Sequence, residues 1–307
     1  MTETALRIPA GVQASDVDVQ GIRTRVYEVD PRNAKTPLVL LHGAGADSAL
    51  VSFGSALGAL GQHRRVIAPD LPGYGDTEFP DSPFSIPWYG DWVGELIRGL
   101  GVGPVDLGGL SLGGWITLEV AIGHPEAVRR IVAINPGGVT EKYRYMRTTE
   151  WLAARPGLNR RMYTWYGRLG RRFTRMQLRG SIIESAAAVT DDLVDAVLVN
   201  CRRAHAGEAF AATQRWAFGA GPQGWSLVSR LPLIAAKTLI VAGRNDKLVP
   251  VADSVRAARL VQDGDVRILE PCGHWLVRDR PAEFVGAVNE FLDAAQAQDQ
   301  LEDQVKD

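Results

Sequence analysis

The chain has 307 residues, with 34 basic side chains against 35 acidic ones and a formal net charge of -1. That length can bury one large core plus an insertion, hiding roughly 75% of the unfolded surface, and so even a balance gives no whole-chain field for nucleic acid or an acidic membrane. The two cysteines, Cys201 and Cys272, lie outside any Cys-x-x-Cys spacing and read as buried apolar residues, not as a disulfide framework or thiolate zinc site.

Residues 1–14 carry no basic leader followed by an apolar run, and no stretch nears the roughly 18 apolar residues a membrane span needs. The expectation is a soluble cytoplasmic protein with no metal, no membrane and no nucleic acid. Its oligomeric state stays open.

In chain order, Ser15–Val19 and Ile22–Val29 meet at Gly21 and predict a hairpin forming an antiparallel edge. Short apolar runs follow at Leu38–Leu41, Val66–Ala68, Val105–Gly108, Ile131–Ile134, Leu239–Ala242 and Val266–Leu269, each suited to a strand buried on both faces. Helical patterns at Tyr89–Leu100 and Trp115–Ile122 alternate with them. The fold class is therefore α/β, a mostly parallel sheet with helices on both faces.

The alternation breaks between residues 138 and 231, where helical segments rich in Arg, Trp and Tyr follow one another. This predicts an inserted helical cap, 138–231, on a core domain built from 15–137 and 232–293. Its aromatic residues include Trp151, Tyr163, Trp165, Tyr166, Trp216, Phe218 and Trp225, and some of them are expected to line a pocket. The polar C-terminal tail, 294–307, reads as a frayed helix.

Chemistry concentrates at Gly109-Leu110-Ser111-Leu112-Gly113, placed where a strand turns into a helix. A Gly-x-Ser-x-Gly turn strains the serine backbone and lifts its hydroxyl clear of the sheet edge, which only small neighbours permit. A serine hydroxyl needs an imidazole to take its proton and a carboxylate to orient that imidazole. His274, on the loop Pro271-Cys272-Gly273-His274-Trp275 after the last predicted strand, is the base. His205 lies in the cap and His124 on the helix behind the serine.

Asp246, directly after the preceding strand, is the acid; the strand before that one ends at Asn135, which carries no charge. The oxyanion needs two preorganised amides. Leu112 supplies one, and Ala44 in the loop His42-Gly43-Ala44-Gly45 the other, with Gly43 as the alternative. His42 braces its loop. Trp275, Leu110 and Trp216 are the candidate substrate-binding residues.

With His42-Gly43, Asp70-Leu71-Pro72-Gly73-Tyr74-Gly75-Asp76, the serine turn, Asp246 and Gly273-His274 in this order, the chain resembles the alpha/beta-hydrolase fold superfamily over about residues 15 to 293. The resemblance implies an eight-stranded sheet, a lid after the sixth strand, a Ser111-Asp246-His274 triad and no cofactor.

Gly243-Arg244-Asn245-Asp246 and Cys272-Gly273-His274-Trp275 look like the carbon–carbon bond hydrolases acting on ring-fission products. Those enzymes have Asn where Leu110 stands, Ser where Ala44 stands and a lid arginine in register with Val197; Arg202 or Arg203 could substitute for it. A site without those groups would leave a substrate carboxylate unpaired. The leading expectation is a serine hydrolase of a small to medium, largely apolar carboxylic ester. A carbon–carbon bond hydrolase of vinylogous diketones and a ligand-binding protein retaining a hydrolase pocket are the alternatives.

Overall fold

A computed structural model describes residues 7–32, 35–141, 148, 151, 154–155, 157–219 and 225–306. β1 (Gln13–Val19) and β2 (Ile22–Val29) form the expected hairpin, paired from Val19↔Ile22 to Gln13↔Glu28. Its turn needs Gln20 and Gly21 at φ 55° and 80°, a region glycine enters without steric penalty. β3 (Leu38–Leu41), α1 (Ala49–Phe53), α2 (Leu57–Leu60), β4 (Val66–Pro69) and α3 (Ile86–Leu100) follow.

Next come β5 (Val105–Leu110), α4 (Leu112–Gly123) and β6 (Val128–Ile134). The eight strands order as β1-β2-β4-β3-β5-β6, then β7 (Lys237–Gly243) and β8 (Gly264–Leu269). β1, β2 and β4 pair antiparallel, and every pairing from β4 to β8 is parallel.

The sheet is covered on both faces, so its middle strands β3 and β5 are buried and, Asp106 of β5 apart, apolar. All four residues of β3 and all six of β5 are buried. Alternate side chains enter opposite layers, as the two-residue period of a strand requires. Leu38 and Leu40 join α1 and α2 in one cluster, while Val39 and Leu41 meet Trp92, Val93, Leu96 and Ile97 of α3 in the other. α3 starts where the Ser85 hydroxyl accepts from Trp88 N and stops at Gly101, which takes φ 63°.

Between β6 and β7 the described chain is helical: α5 (Leu158–Ser181), α6 (Asp191–Arg202) and α7 (Glu208–Gly219). α5 is kinked at Gly170, and Leu227 N donates to Gly138 O at 2.7 Å, closing the excursion near its point of departure. After β7 the chain adds α8 (Val251–Leu260), and after β8 come α9 (Leu276–Asp279) and α10 (Pro281–Lys306).

One expectation shifts: α4 begins at Leu112 instead of Trp115. α10 continues as helix through Lys306, across the polar tail read as a frayed helix. Among the described residues no helix is long and apolar enough to cross a membrane.

Candidate active site

The last residue of β5 and the first of α4 are separated by a single residue, Ser111, held at φ 55° and ψ -109°. Such a conformation costs on the order of 1–3 kcal/mol for a non-glycine residue. Ser111 N donates to Ile134 O at 2.9 Å, and its carbonyl accepts from Gly137 N at 2.8 Å and from Trp115 N at 2.9 Å. The flanking glycines are sterically required. A Cβ on Gly109 would fall within 3.0 Å of Gly113 backbone atoms, and one on Gly113 within 3.0 Å of the Leu41 and His42 carbonyl oxygens.

The imidazole and carboxylate assigned from sequence meet. His274 Nδ1 lies 2.7 Å from Asp246 Oδ2, with both side chains nearly or wholly buried. The second Asp246 oxygen accepts from Leu248 N at 2.7 Å and Val249 N at 3.0 Å, fixing the carboxylate. A carboxylate at Nδ1 favours the tautomer in which Nδ1 carries the proton and Nε2 can accept one. Ser111 and His274 line the same cavity.

Two residues that sequence reasoning did not assign set the histidine loop. Asn135, at the end of β6 with φ 39°, donates through Nδ2 to His274 O at 2.7 Å and to Gly273 O at 3.3 Å. Its Oδ1 accepts from Gly243 N at 2.9 Å, so one amide joins the ends of β6 and β7 to the His274 loop. Asp279 accepts from Gly273 N at 2.8 Å and from Ser185 N at 2.7 Å. The only sequence signal for Asn135 was its place at a strand end; Asp279 had none.

On the opposite wall, Leu112 is the first residue of α4, so its N–H has no carbonyl one turn back. Ala44 N is likewise without a protein acceptor among the described residues, and both residues line the cavity. Gly43 does not fit its alternative role. Gly43 N donates to Asp47 Oδ2 at 2.8 Å, which commits that amide away from a substrate.

Asp47 also accepts from Ser48 N at 2.8 Å and from Ser52 Oγ at 2.6 Å. Burial pushes its carboxyl up to about 6. His42 braces the loop as expected: Nε2 accepts from Leu71 N at 2.9 Å, so Nδ1 carries the proton toward Gly43 O at 2.7 Å. Burial lowers the His42 pKa to about 4, keeping the ring neutral at physiological pH.

The cavity holds about 430 Å³ and is walled mainly by apolar groups, with Leu110 and Trp275 among them. Tyr163, Tyr166, Phe218 and Trp225 reach it, whereas Trp151 and Trp165 are exposed. Trp216 is not part of the wall, which corrects the sequence reading. α7 presents Phe210, Thr213, Gln214, Ala217 and Phe218, one stripe of 3.6 period, while Trp216 faces off that stripe and packs at 6.3 Å from the Trp115 ring.

Val197 is in the wall, and no Arg or Lys is among its described residues. Arg202 donates to Gly167 O, and Arg203 pairs with Asp76 and Asn200.

Similar proteins are known. The chain is 30% identical to the 2-hydroxymuconate semialdehyde hydrolase of Pseudomonas sp. (strain CF600), over 92% of this chain and 94% of that protein. It is also 30% identical to the 2-hydroxy-6-oxo-2,4-heptadienoate hydrolase of a Pseudomonas putida strain, over 89% and 94%. Among solved structures, a meta-cleavage product hydrolase from Pseudomonas fluorescens IP01 superposes with a TM-score of 0.75 at 23% identity, covering 92% of this chain and 98% of that one. The family model described as Alpha/beta hydrolase family matches residues 38–287. On its sheet order, its serine turn and this match, the chain belongs to the alpha/beta hydrolase family.

Proposed function

We propose that this hydrolase cleaves an uncharged, largely apolar carboxylic ester through Ser111, His274 and Asp246, with residues 138–231 acting as a cap over the site. His274 Nε2 removes the Ser111 proton as the hydroxyl attacks the carbonyl, and Asp246 stabilises the imidazolium. The Ala44 and Leu112 amides hold the oxyanion; each such donor is worth roughly 3 kcal/mol of barrier. The imidazolium protonates the leaving alcohol, and water then releases the acyl group with the same histidine as base.

One observation carries the ester reading over its rival. The cavity offers no cation among its described lining residues, and Val197, Leu110 and Ala44 are apolar. A dienoate carboxylate buried there would lack a partner, a penalty of several kcal/mol. The second reading, hydrolysis of a carbon–carbon bond in a ring-fission product, is favoured by the relatives, which are named for such substrates.

Turnover of p-nitrophenyl butyrate beside a panel of ring-fission dienoates decides between them. The ester reading expects ester turnover that Ser111→Ala abolishes and little from the dienoates. Preferential dienoate turnover would replace it with the second reading, and fluorophosphonate labelling without multiple turnovers would leave only a binding role.

A further inference from the structure

The helix that roofs the cavity has a second face. α5 (Leu158–Ser181) turns Tyr163, Tyr166, Phe173 and Leu178 inward to the cavity. Its sequence contains seven arginines, at 160, 161, 168, 171, 172, 175 and 179, and no Asp or Glu. Three of these are neutralised locally: Arg160 by Glu208, Arg171 by Asp191 and Asp195, and Arg175 by Asp191. Arg161, Arg168, Arg172 and Arg179 are exposed and make no ion pair among the described residues.

Large apolar side chains are interleaved with these four cations. Trp165 is 53% exposed, Leu169 38% and Met176 58%, three of the six large hydrophobic residues exposed among those described. Surface hydrophobic residues scattered singly need no explanation; here Trp165 and Leu169 lie one turn apart before the non-helical Gly170, and Met176 follows on the helical arm after it, each among the exposed arginines. A basic helix with tryptophan and aliphatic groups on its solvent side matches the chemistry of a bilayer interface, where arginines meet anionic headgroups and apolar groups enter the acyl boundary.

We propose that the outer face of α5 docks this protein on an anionic lipid surface, with Trp165, Leu169 and Met176 inserted between headgroups held by Arg161, Arg168, Arg172 and Arg179. Charge complementarity selects this occupant. A second copy related by a two-fold axis would set arginine against arginine, and a nucleic acid would find no use for Leu169 or Met176. Docking would bring the membrane to the outer side of the same helix whose inner side walls the cavity.

The test is sedimentation of the full chain with phosphatidylcholine vesicles, with or without phosphatidylserine, at low and at physiological salt. The expected result is binding only to the phosphatidylserine vesicles, weakened by salt because exposed charges are screened within about 8 Å at physiological ionic strength. Each arginine near such a surface contributes about fivefold in partitioning, so Arg168→Gln/Arg172→Gln should bind roughly 25-fold more weakly. Trp165→Ser should also weaken binding while keeping the salt dependence, and unchanged melting temperatures would establish that both variants fold. Equal sedimentation with both vesicle types, none with either, a Trp165→Ser variant that binds like wild type, or tighter retention by duplex DNA than by vesicles would each overturn the proposal.

Discussion

Removing the Asp47 carboxylate, itself part of the cavity wall, should cripple catalysis by releasing the loop it holds. Asp47 is buried and accepts from Gly43 N, Ser48 N and Ser52 Oγ. Ser52 Oγ in turn accepts from Trp275 Nε1 at 3.4 Å, so the carboxylate ties the Ala44 loop toward the residue after His274. Asp47→Ala strands three buried donors, each costing about 1–3 kcal/mol if left dry. It also frees the Gly43–Ala44 peptide to rotate, and loss of one aligned oxyanion donor costs about 3 kcal/mol. The expected outcome is a lower melting temperature, a kcat for p-nitrophenyl butyrate about 100-fold down and a KM changed by less than about threefold, since the lost contact forms in the transition state. Asp47→Asn can keep its side-chain carbonyl on Gly43 and Ser52 and lose only Ser48, so its kcat should stay within about fivefold of wild type. A folded Asp47→Ala enzyme with wild-type kcat would refute the reasoning, because the loop would then hold its register by other means.

Asn135→Ala removes the amide that joins Gly243 N to the Gly273 and His274 carbonyls; kcat should fall about 10- to 100-fold as the imidazole loosens, and steady-state kinetics on the same ester would check it. Trp216→Ala should lower stability by about 3 kcal/mol or less yet leave KM within about twofold, because that ring packs on Trp115, which lines the cavity, without lining it itself; a large KM shift would return it to the substrate site. Burial pushes the Asp70 carboxyl up to about 7 and Asp106 up to about 6. A folded pKa above the unfolded value of roughly 3.9 means the native state binds more protons, so this stability is present below that value and lost as pH rises through the folded pKa. Urea unfolding should therefore show Asp70→Asn losing less stability than wild type between pH 5 and pH 8; equal losses would sink the assignment.

Legibility in this chain follows the range of the interaction concerned. The strands could be read because burial on both faces leaves unbroken apolar runs, and Ser111 because its strained turn demands glycines that appear in the sequence itself. His274 and Asp246 meet in the structure as strand-end logic expected. The start of α4 was misplaced because Gly113 and Gly114 are poor helix formers, about 1 kcal/mol each relative to alanine, whereas close approach to Leu41 and Pro136 requires them there.

The misreadings at Gly43 and Trp216 share a cause: an amide's free direction and a helix's inward face are fixed by partners elsewhere, here Asp47 and Trp115. Asn135 shows the same limit from the other side. Its lack of charge removed it as an acid, while its neutral amide, able to donate and accept at once, is what lets it join three backbone groups. Whole-chain charge is a coarse guide for a related reason, since a sum near zero conveys nothing about placement. Seven arginines between Leu158 and Ser181 and carboxylates elsewhere leave the total at -1, yet charges more than a Debye length away are screened, so an approaching surface senses the local face alone.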